Sequence, residues 1–541
     1  MLQPFPDKYR PHLLAILVGV VFANSFGGVF VFDEFSSITC NDTIRHFWPL
    51  DCMFKYPNTT RPVIGLSFAL NYAMSGLHFW SYHLFNFAIH IISALALYGI
   101  ARRTFLTPRL KPRFERDAVP LAFVIALLWA IHPLQTASVT YVVQRCESMM
   151  GMFFLLTLYC VIRSTRSFDP GKWNVRAIVF CALGMGTKQV MIAAPIMILI
   201  YDRTFISGTI AGAIQARGRL YAGLLATCAI LATSMLDKPP QGVSAGFTFA
   251  GVTPYHYALT QCAVIPHYLG LALWPQTLCL DYAWPFAQSV REVLPGMVLI
   301  GVLLLATLVA VLRNSPWGFV GAWFFVILAP SSSIMPIQDS AFEHRMYLSL
   351  ASVVVVVVIA LHALARALAA KGLHPRRVRA FAGVAMLAIT LALGVRTVLR
   401  NFDYGNLELI WRQVLALYPD SQRANNNLGN ALAGEAKHAE AVVAFEKCVR
   451  LNPDYTDAHF NLGVELNNVE RREEAVAHYK RALELNPSYL NAHAFMADIL
   501  MQLDRVDEAV QHFEAEFKRD PTRKDVEDKL RDARNILIPV D

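Results

Sequence analysis

The chain has 541 residues, of which 55% are hydrophobic and 16% charged, with a mean hydropathy of +0.40. That composition excludes an ordinary soluble protein, and nine cysteines without CxxC spacing indicate neither a zinc site nor a disulfide scaffold. The formal charge of +8 is no nucleic-acid footprint: residues 1–418 hold 32 Lys/Arg against 17 Asp/Glu and residues 419–541 hold 16 against 23, with the basic excess in short loops between apolar runs.

In chain order, apolar runs predict about eleven membrane spans, near 12–32, 79–100, 118–132, 148–163, 176–187, 190–201, 220–236, 295–312, 317–330, 346–365 and 380–398. The first reads as a retained anchor rather than a cleaved signal, because its apolar run continues to Phe32. The two runs flanking Gly186-Thr187-Lys188 are short and read as a hairpin dipping into the bilayer. The stretch 256–274 reads as an interfacial or re-entrant helix, since inserting it would move the Arg366–Arg379 cluster to the other side. With that arrangement, 21 basic residues fall in the amino terminus and one set of loops, against eight in the other set. The positive-inside rule then predicts a cytoplasmic amino terminus and a tail outside, in a periplasm or an equivalent lumen.

Past residue 400 the pattern acquires a fixed period. Pro419, Pro453, Pro487 and Pro521 are 34 residues apart, as are Gly429, Gly463 and Ala497, then Ala441, Ala475 and Ala509, then Phe445, Tyr479 and Phe513. Spacing and residue types resemble the tetratricopeptide repeat, in which small residues let two antiparallel helices approach and an aromatic plugs the next unit. The expected fold is therefore all-α: a polytopic helical bundle over 1–400, a connecting half-repeat over 401–418, three repeats forming a soluble α-solenoid over 419–521, and a capping helix over 522–541. Asn427, His459, Asn461 and His493 are candidates for holding an extended peptide in the groove of the array. Cys40 and Cys52 are candidates for a disulfide if the first outer loop meets an oxidising compartment.

Ionisable side chains beside apolar spans are costly unless paired or functional, and here they collect on the predicted outer face. Asp33-Glu34 ends the first span, His132 to Glu147 fill the second outer loop, Lys188 tips the hairpin, Asp281-Tyr282 follows 256–274, and Glu343-His344-Arg345 opens the tenth span. The segments FVFDE (30–34), RPVIGLSFALNYAMSGLHFWSYHLFNFAIH (61–90), AIHPLQTASVTYVVQRCES (130–148), GTKQ (186–189), LCLDYAWP (278–285) and FEHRMYLSL (342–350), followed by the repeats, resemble the transmembrane-and-tetratricopeptide-repeat family. That resemblance implies a GT-C membrane O-mannosyltransferase, and three repeats lean towards a bacterial member, in the cytoplasmic membrane. Relatives commonly have Lys-Glu where this chain has Lys188-Gln189, one charge fewer beside a presumed phosphate ligand.

The implied chemistry moves a sugar, mannose or another hexose, from a polyprenyl-phosphate donor to a Ser/Thr hydroxyl of an acceptor protein, with inversion. It needs a base for the acceptor hydroxyl, expected at Asp33 with Glu34 orienting a partner. Cations must hold the departing phosphate, expected at Arg145, Lys188 and Arg345. Sugar and acceptor contacts are expected from His132, Tyr141, Glu147, Asp281, Tyr282, Glu343, His344 and Tyr347. No metal is expected to be obligatory, and the expected partners are the lipid-linked sugar, the bilayer and an acceptor protein in the repeat groove, with no nucleic acid. Two alternatives stand beside this reading: a GT-C transferase acting on a lipid or envelope glycan, and a non-enzymatic membrane scaffold using its repeats.

Overall fold

The computed structural model describes residues 6–48, 61–236, 246 and 251–537. Cys52, one half of the expected disulfide, lies outside the described residues. Among those described, every regular element is helical, and the chain divides into two compact units: residues 1–280 with 284–406, and residues 281–283 with 407–541.

The first unit contains α1 (Arg10–Phe22), α2 (Pro62–Ser75), α3 (Phe79–Phe105), α4 (Lys111–Phe114), α5 (Ala118–Ala130), α6 (Thr136–Val139), α7 (Arg145–Ser164), α8 (Pro170–Met185), α9 (Ala193–Asp202), α10 (Ile210–Ala226), α11 (Cys228–Leu236), α12 (Pro254–Leu273), α13 (Val290–Leu312), α14 (Pro316–Leu328), α15 (Met346–Ala370) and α16 (Pro375–Asp403). Seven helical stretches are long and apolar enough to cross a bilayer, eight if the pair Ala118–Ala130 and Pro133–Val139, bent by 54°, counts as one. This is a multi-pass membrane protein. Of the roughly eleven expected spans, the others form helices shorter than that length among the described residues: α14 has 13 residues, while the run beginning at Gln189 continues to Ser207 and is long enough. The segment 256–274 forms α12, with Pro266 inside it, and is not among the seven.

α7 is the centre of the bundle, its span 89% buried, whereas only 11% of α13 and 6% of α16 are covered. Those two helices present Leu304, Leu305, Leu308, Leu387 and Leu391 outward, which hydrocarbon, not water, accommodates. α7 packs against α3 and α8. Its Gly151 admits the Tyr347 ring, which an added Cβ would meet at 2.6 Å.

The second unit is built of α17 (Leu407–Leu417), the antiparallel pairs α18 (Gln422–Gly434) with α19 (His438–Leu451), α20 (Thr456–Asn468) with α21 (Arg472–Leu485), and α22 (Ala492–Gln502) with α23 (Val506–Arg519), and α24 (Lys524–Leu537). A Cβ at Gly429 would lie 2.6 Å from the Phe445 ring, and one at Gly463 would lie 3.0 Å from Tyr479, so the periodic glycine is the seat of the periodic aromatic. Each pair turns through a residue with positive φ: Ala436 (57°), Glu470 (65°) and Asp504 (59°). The third pair starts late, because Asn491 adopts φ +66°, a conformation Asn tolerates, and its side chain accepts from Arg523 at 2.6 Å.

Candidate active site

Asp33 stands on a loop that other residues hold in place. Gly28 packs against the His83 ring, which a Cβ would approach to 3.0 Å. The Val29 N–H donates to the Tyr404 carbonyl (3.2 Å) and the Asp33 N–H to the Tyr141 hydroxyl (3.2 Å). Glu34, 1% exposed, accepts from the Val31 N–H (2.5 Å) and the Val143 N–H (3.1 Å), joining the loop to the start of α7. Burial pushes its carboxyl up to about 8, against hydrogen bonds from Val31 and Val143 that pull it down. Phe32 takes φ +50°, a strained conformation for a bulky residue. The Asp33 side chain itself is exposed. Two adjacent carboxyls thus have different tasks: Glu34 braces the backbone, and Asp33 faces outward.

Tyr141 stacks on Tyr404 (6.3 Å, 25°). The Tyr404 hydroxyl is buried with no hydrogen-bond partner among the described residues, and burial raises its pKa. The Arg400 guanidinium lies 5.3 Å over that ring and donates to Asp403 at 3.1 Å. Arg400, Asp403 and Tyr404 were missed by sequence reasoning. The available signal was Arg396 and Arg400, one turn apart at the end of an apolar span, where an unpaired cation is costly.

The expected phosphate ligands divide. Arg145 is fully buried and its donors are taken: Nε by Asn86 (2.6 Å), Nη1 by Asn71 (2.6 Å) and Ser67, Nη2 by the Tyr82 carbonyl (2.9 Å). Arg345 donates to the carbonyls of Ser331 (3.1 Å), Ser340 (2.8 Å) and Asp339. Both are corrections: these guanidiniums tie helices and loops together. Lys188 pairs with Glu147, so Glu147 is a counter-ion where a sugar contact was expected, and it supplies the carboxylate that Gln189 lacks. His344, stacked on Phe342, lies in the fields of Lys188, Arg345 and Arg61, a cationic group at the same end of α7.

Several sugar or acceptor candidates also prove structural. Tyr347 is buried, its hydroxyl 3.0 Å from His90. Glu343 accepts from the Cys279 N–H (2.5 Å). Within the second unit, Asp281 is gripped by Arg423 through two contacts of 2.6 Å, and Tyr282 packs edge-on to Tyr418. His132 accepts from the Leu134 N–H (3.2 Å) and pairs with the Ala272 carbonyl (3.1 Å), yet it also lines a largely apolar cavity of about 400 Å³ with Leu128, Trp274, Val354, Leu393 and Arg396. Such a cavity suits a hydrocarbon chain with a charged end.

In the repeats, Asn461 donates to Asn426 (3.3 Å) and Asn430 (3.1 Å), making a ladder across α18 and α20, and Asn427 is half-buried on α18. His459 and His493 do not join it. Their Nδ1 atoms meet those of His478 (2.9 Å) and His512 (2.8 Å) inside the helix pairs. Among the described residues, no group of three or more His, Cys, Asp or Glu is arranged to hold a metal.

Fold and site together define a multi-pass helical membrane protein with a tetratricopeptide-repeat unit; residues 422–455 and 456–489 match models of the tetratricopeptide repeat. In sequence the chain is similar to protein O-mannosyl-transferase TMTC4 of Mus musculus, 24% identical over 81% of this chain and 66% of the relative. It is also similar to TMTC3 of the same species, 27% identical over 42% of this chain and 26% of the relative, and to tmtc2 of Xenopus laevis, 30% identical over 30% and 20%. The motif resemblance therefore has named relatives, of which the chain spans just under two thirds of the length at most among these three. Among solved structures, ArnT from Cupriavidus metallidurans bound to undecaprenyl phosphate aligns over 77% of this chain and 80% of that one, with 11% identity and a TM-score of 0.36.

Proposed function

We propose that this protein is a membrane O-glycosyltransferase that transfers a hexose from a polyprenyl-phosphate donor to Ser or Thr of an acceptor protein, with inversion. The observation that carries the reading is Asp33: an exposed carboxyl on a backbone pinned by Glu34 and Tyr141, in a chain similar to protein O-mannosyl-transferases over 81% of its length. The acceptor hydroxyl oxygen attacks the anomeric carbon as its proton passes to the Asp33 carboxylate. The bond from that carbon to the phosphate oxygen breaks, and the phosphate leaves on its prenyl chain. Lys188 and Arg61 are the proposed cations for the leaving phosphate, with His344 beside them as a hydrogen-bonding group. The cavity beside His132 and Arg396 is the proposed seat of the prenyl chain. The Asn426–Asn430–Asn461 ladder, with Asn427, is proposed to bind acceptor backbone, and no obligatory metal is proposed. The positive-inside distribution supports a cytoplasmic amino terminus, with Asp33 and the repeats in the periplasm of a bacterium.

Purified full-length protein supplied with polyprenyl-phosphate mannose and a Ser/Thr-rich peptide tests this directly. Transfer is expected, and Asp33→Asn is expected to lower it by about 10²- to 10⁴-fold, the usual worth of a positioned base. Transfer to lipid or glycan with none to peptide would replace the protein-acceptor reading, and full activity of the Asn form would remove Asp33 from the mechanism.

A further inference from the structure

The end of the membrane unit remote from Asp33 has a feature the transferase reading does not use. α3 begins beside the Asp33 loop, where Phe79 and Tyr82 pack on Phe30, so its carboxyl-terminal third lies at the opposite end. There, a cavity of about 430 Å³ is walled by Leu97, Phe105, Ile125, Phe319, Trp323 and Val355, from α3, α5, α14 and α15. A second cavity of about 510 Å³ is lined by Arg113, His362 and Arg366. Arg113, Phe114, Ile359 and Ala363 line both, so the apolar space opens into the cationic one.

The two arginines there are not offset by carboxylates, as three other basic residues on this end are. Lys111 pairs with Glu115, Lys172 with Asp169 and Arg217 with Asp202. Arg113 and Arg366 are exposed, and Arg366 reaches the Arg113 carbonyl at 3.4 Å. Among the described residues neither forms an ion pair: Glu115 is taken by Lys111, and Asp117 faces His362 at 3.5 Å. We propose that this is a binding site for an anionic glycerophospholipid, its phosphate between Arg113 and Arg366 and one acyl chain in the cavity beneath. The apolar half requires hydrocarbon and the cationic half requires an anion. A lipid phosphate satisfies both, as basic pockets between membrane helices do.

Native mass spectrometry of the full-length protein, given equal amounts of phosphatidylglycerol and phosphatidylcholine, reads the preference. Phosphatidylglycerol is expected to be retained selectively. At about fivefold per cation, Arg113→Gln with Arg366→Gln is expected to cut that selectivity by about 25-fold, while Arg379→Gln, on the exposed start of α16, leaves it unchanged. Val355→Trp, filling the cavity, is expected to reduce retention of both lipids. Should the double variant fail to purify, each single variant is read alone for a loss of about fivefold. Equal retention of the two lipids by the native chain would overturn the proposal. So would undiminished selectivity in a folded Arg variant, or complete displacement by equimolar glycerol phosphate, which would mean that the acyl half contributes nothing.

Discussion

Glu34 ties a pH dependence to the geometry of the Asp33 loop. Its carboxyl is raised from 4.5 to about 8 by burial, whereas in the unfolded chain it ionises near its ordinary value. The unfolded state therefore binds fewer protons between those limits, and stability falls as pH rises from about 4.5 to 8, then levels off. Thermal unfolding in detergent across that range is expected to show the decline, and Glu34→Gln to flatten it; an unchanged slope in the Gln form would assign the effect to another group. Arg145 predicts a different phenotype. Truncating it to Ala leaves the oxygens of Asn71, Asn86 and Tyr82 without their donor, and each orphaned buried group costs about 1–3 kcal/mol. Arg145→Ala is expected to lose more than about 3 kcal/mol of stability. A variant as stable as the parent but weak in donor binding would restore Arg145 as a phosphate ligand.

At the scale of elements, the helix pairs of the repeat unit set two opposed requirements seven residues apart. Gly429 is filled by the Phe445 ring, so Gly429→Ala forces overpacking and is expected to cost about 1–3 kcal/mol. Gly463→Ala is expected to cost less, because Tyr479 stands 3.0 Å off rather than 2.6 Å. At Ala436 the sign reverses: φ is 57°, which a glycine adopts without the Cβ clash, so Ala436→Gly is expected to gain about 1 kcal/mol. Hydrogen exchange of α18 to α21 in the intact protein measures all three, and stabilisation by Gly429→Ala would contradict the packing account.

For the whole molecule, what could be read in the sequence followed the range of the interactions. The 34-residue period marked the repeats because each register reports contacts between adjacent helices, and the apolar runs marked the membrane unit. Helix length was less legible, since an apolar run such as 317–330 has the composition of a span but forms a helix of 13 residues. Asp33, Glu34, Glu147 and Lys188 were visible as costly charges. That Glu147 pairs with Lys188, and that Arg145 is held by Asn71 and Asn86, depends on packing α7 against α3 and on the turn that carries Lys188, which periodicity does not encode. Tyr404 was hidden for the same reason, lying 263 positions beyond its stacking partner Tyr141. His459 and His493 looked like groove residues, and only their His478 and His512 partners turn them inward.

The proposed role of Asp33 as the base of a protein glycosyltransferase is tested most directly in cells. Intact-mass spectrometry of secreted and envelope proteins should compare cells carrying the native chain, none, and Asp33→Asn. The account predicts a hexose-sized increment on at least one protein that disappears equally from the second and third. Persistence of that increment in the Asp33→Asn cells, with the variant present and folded, would contradict it.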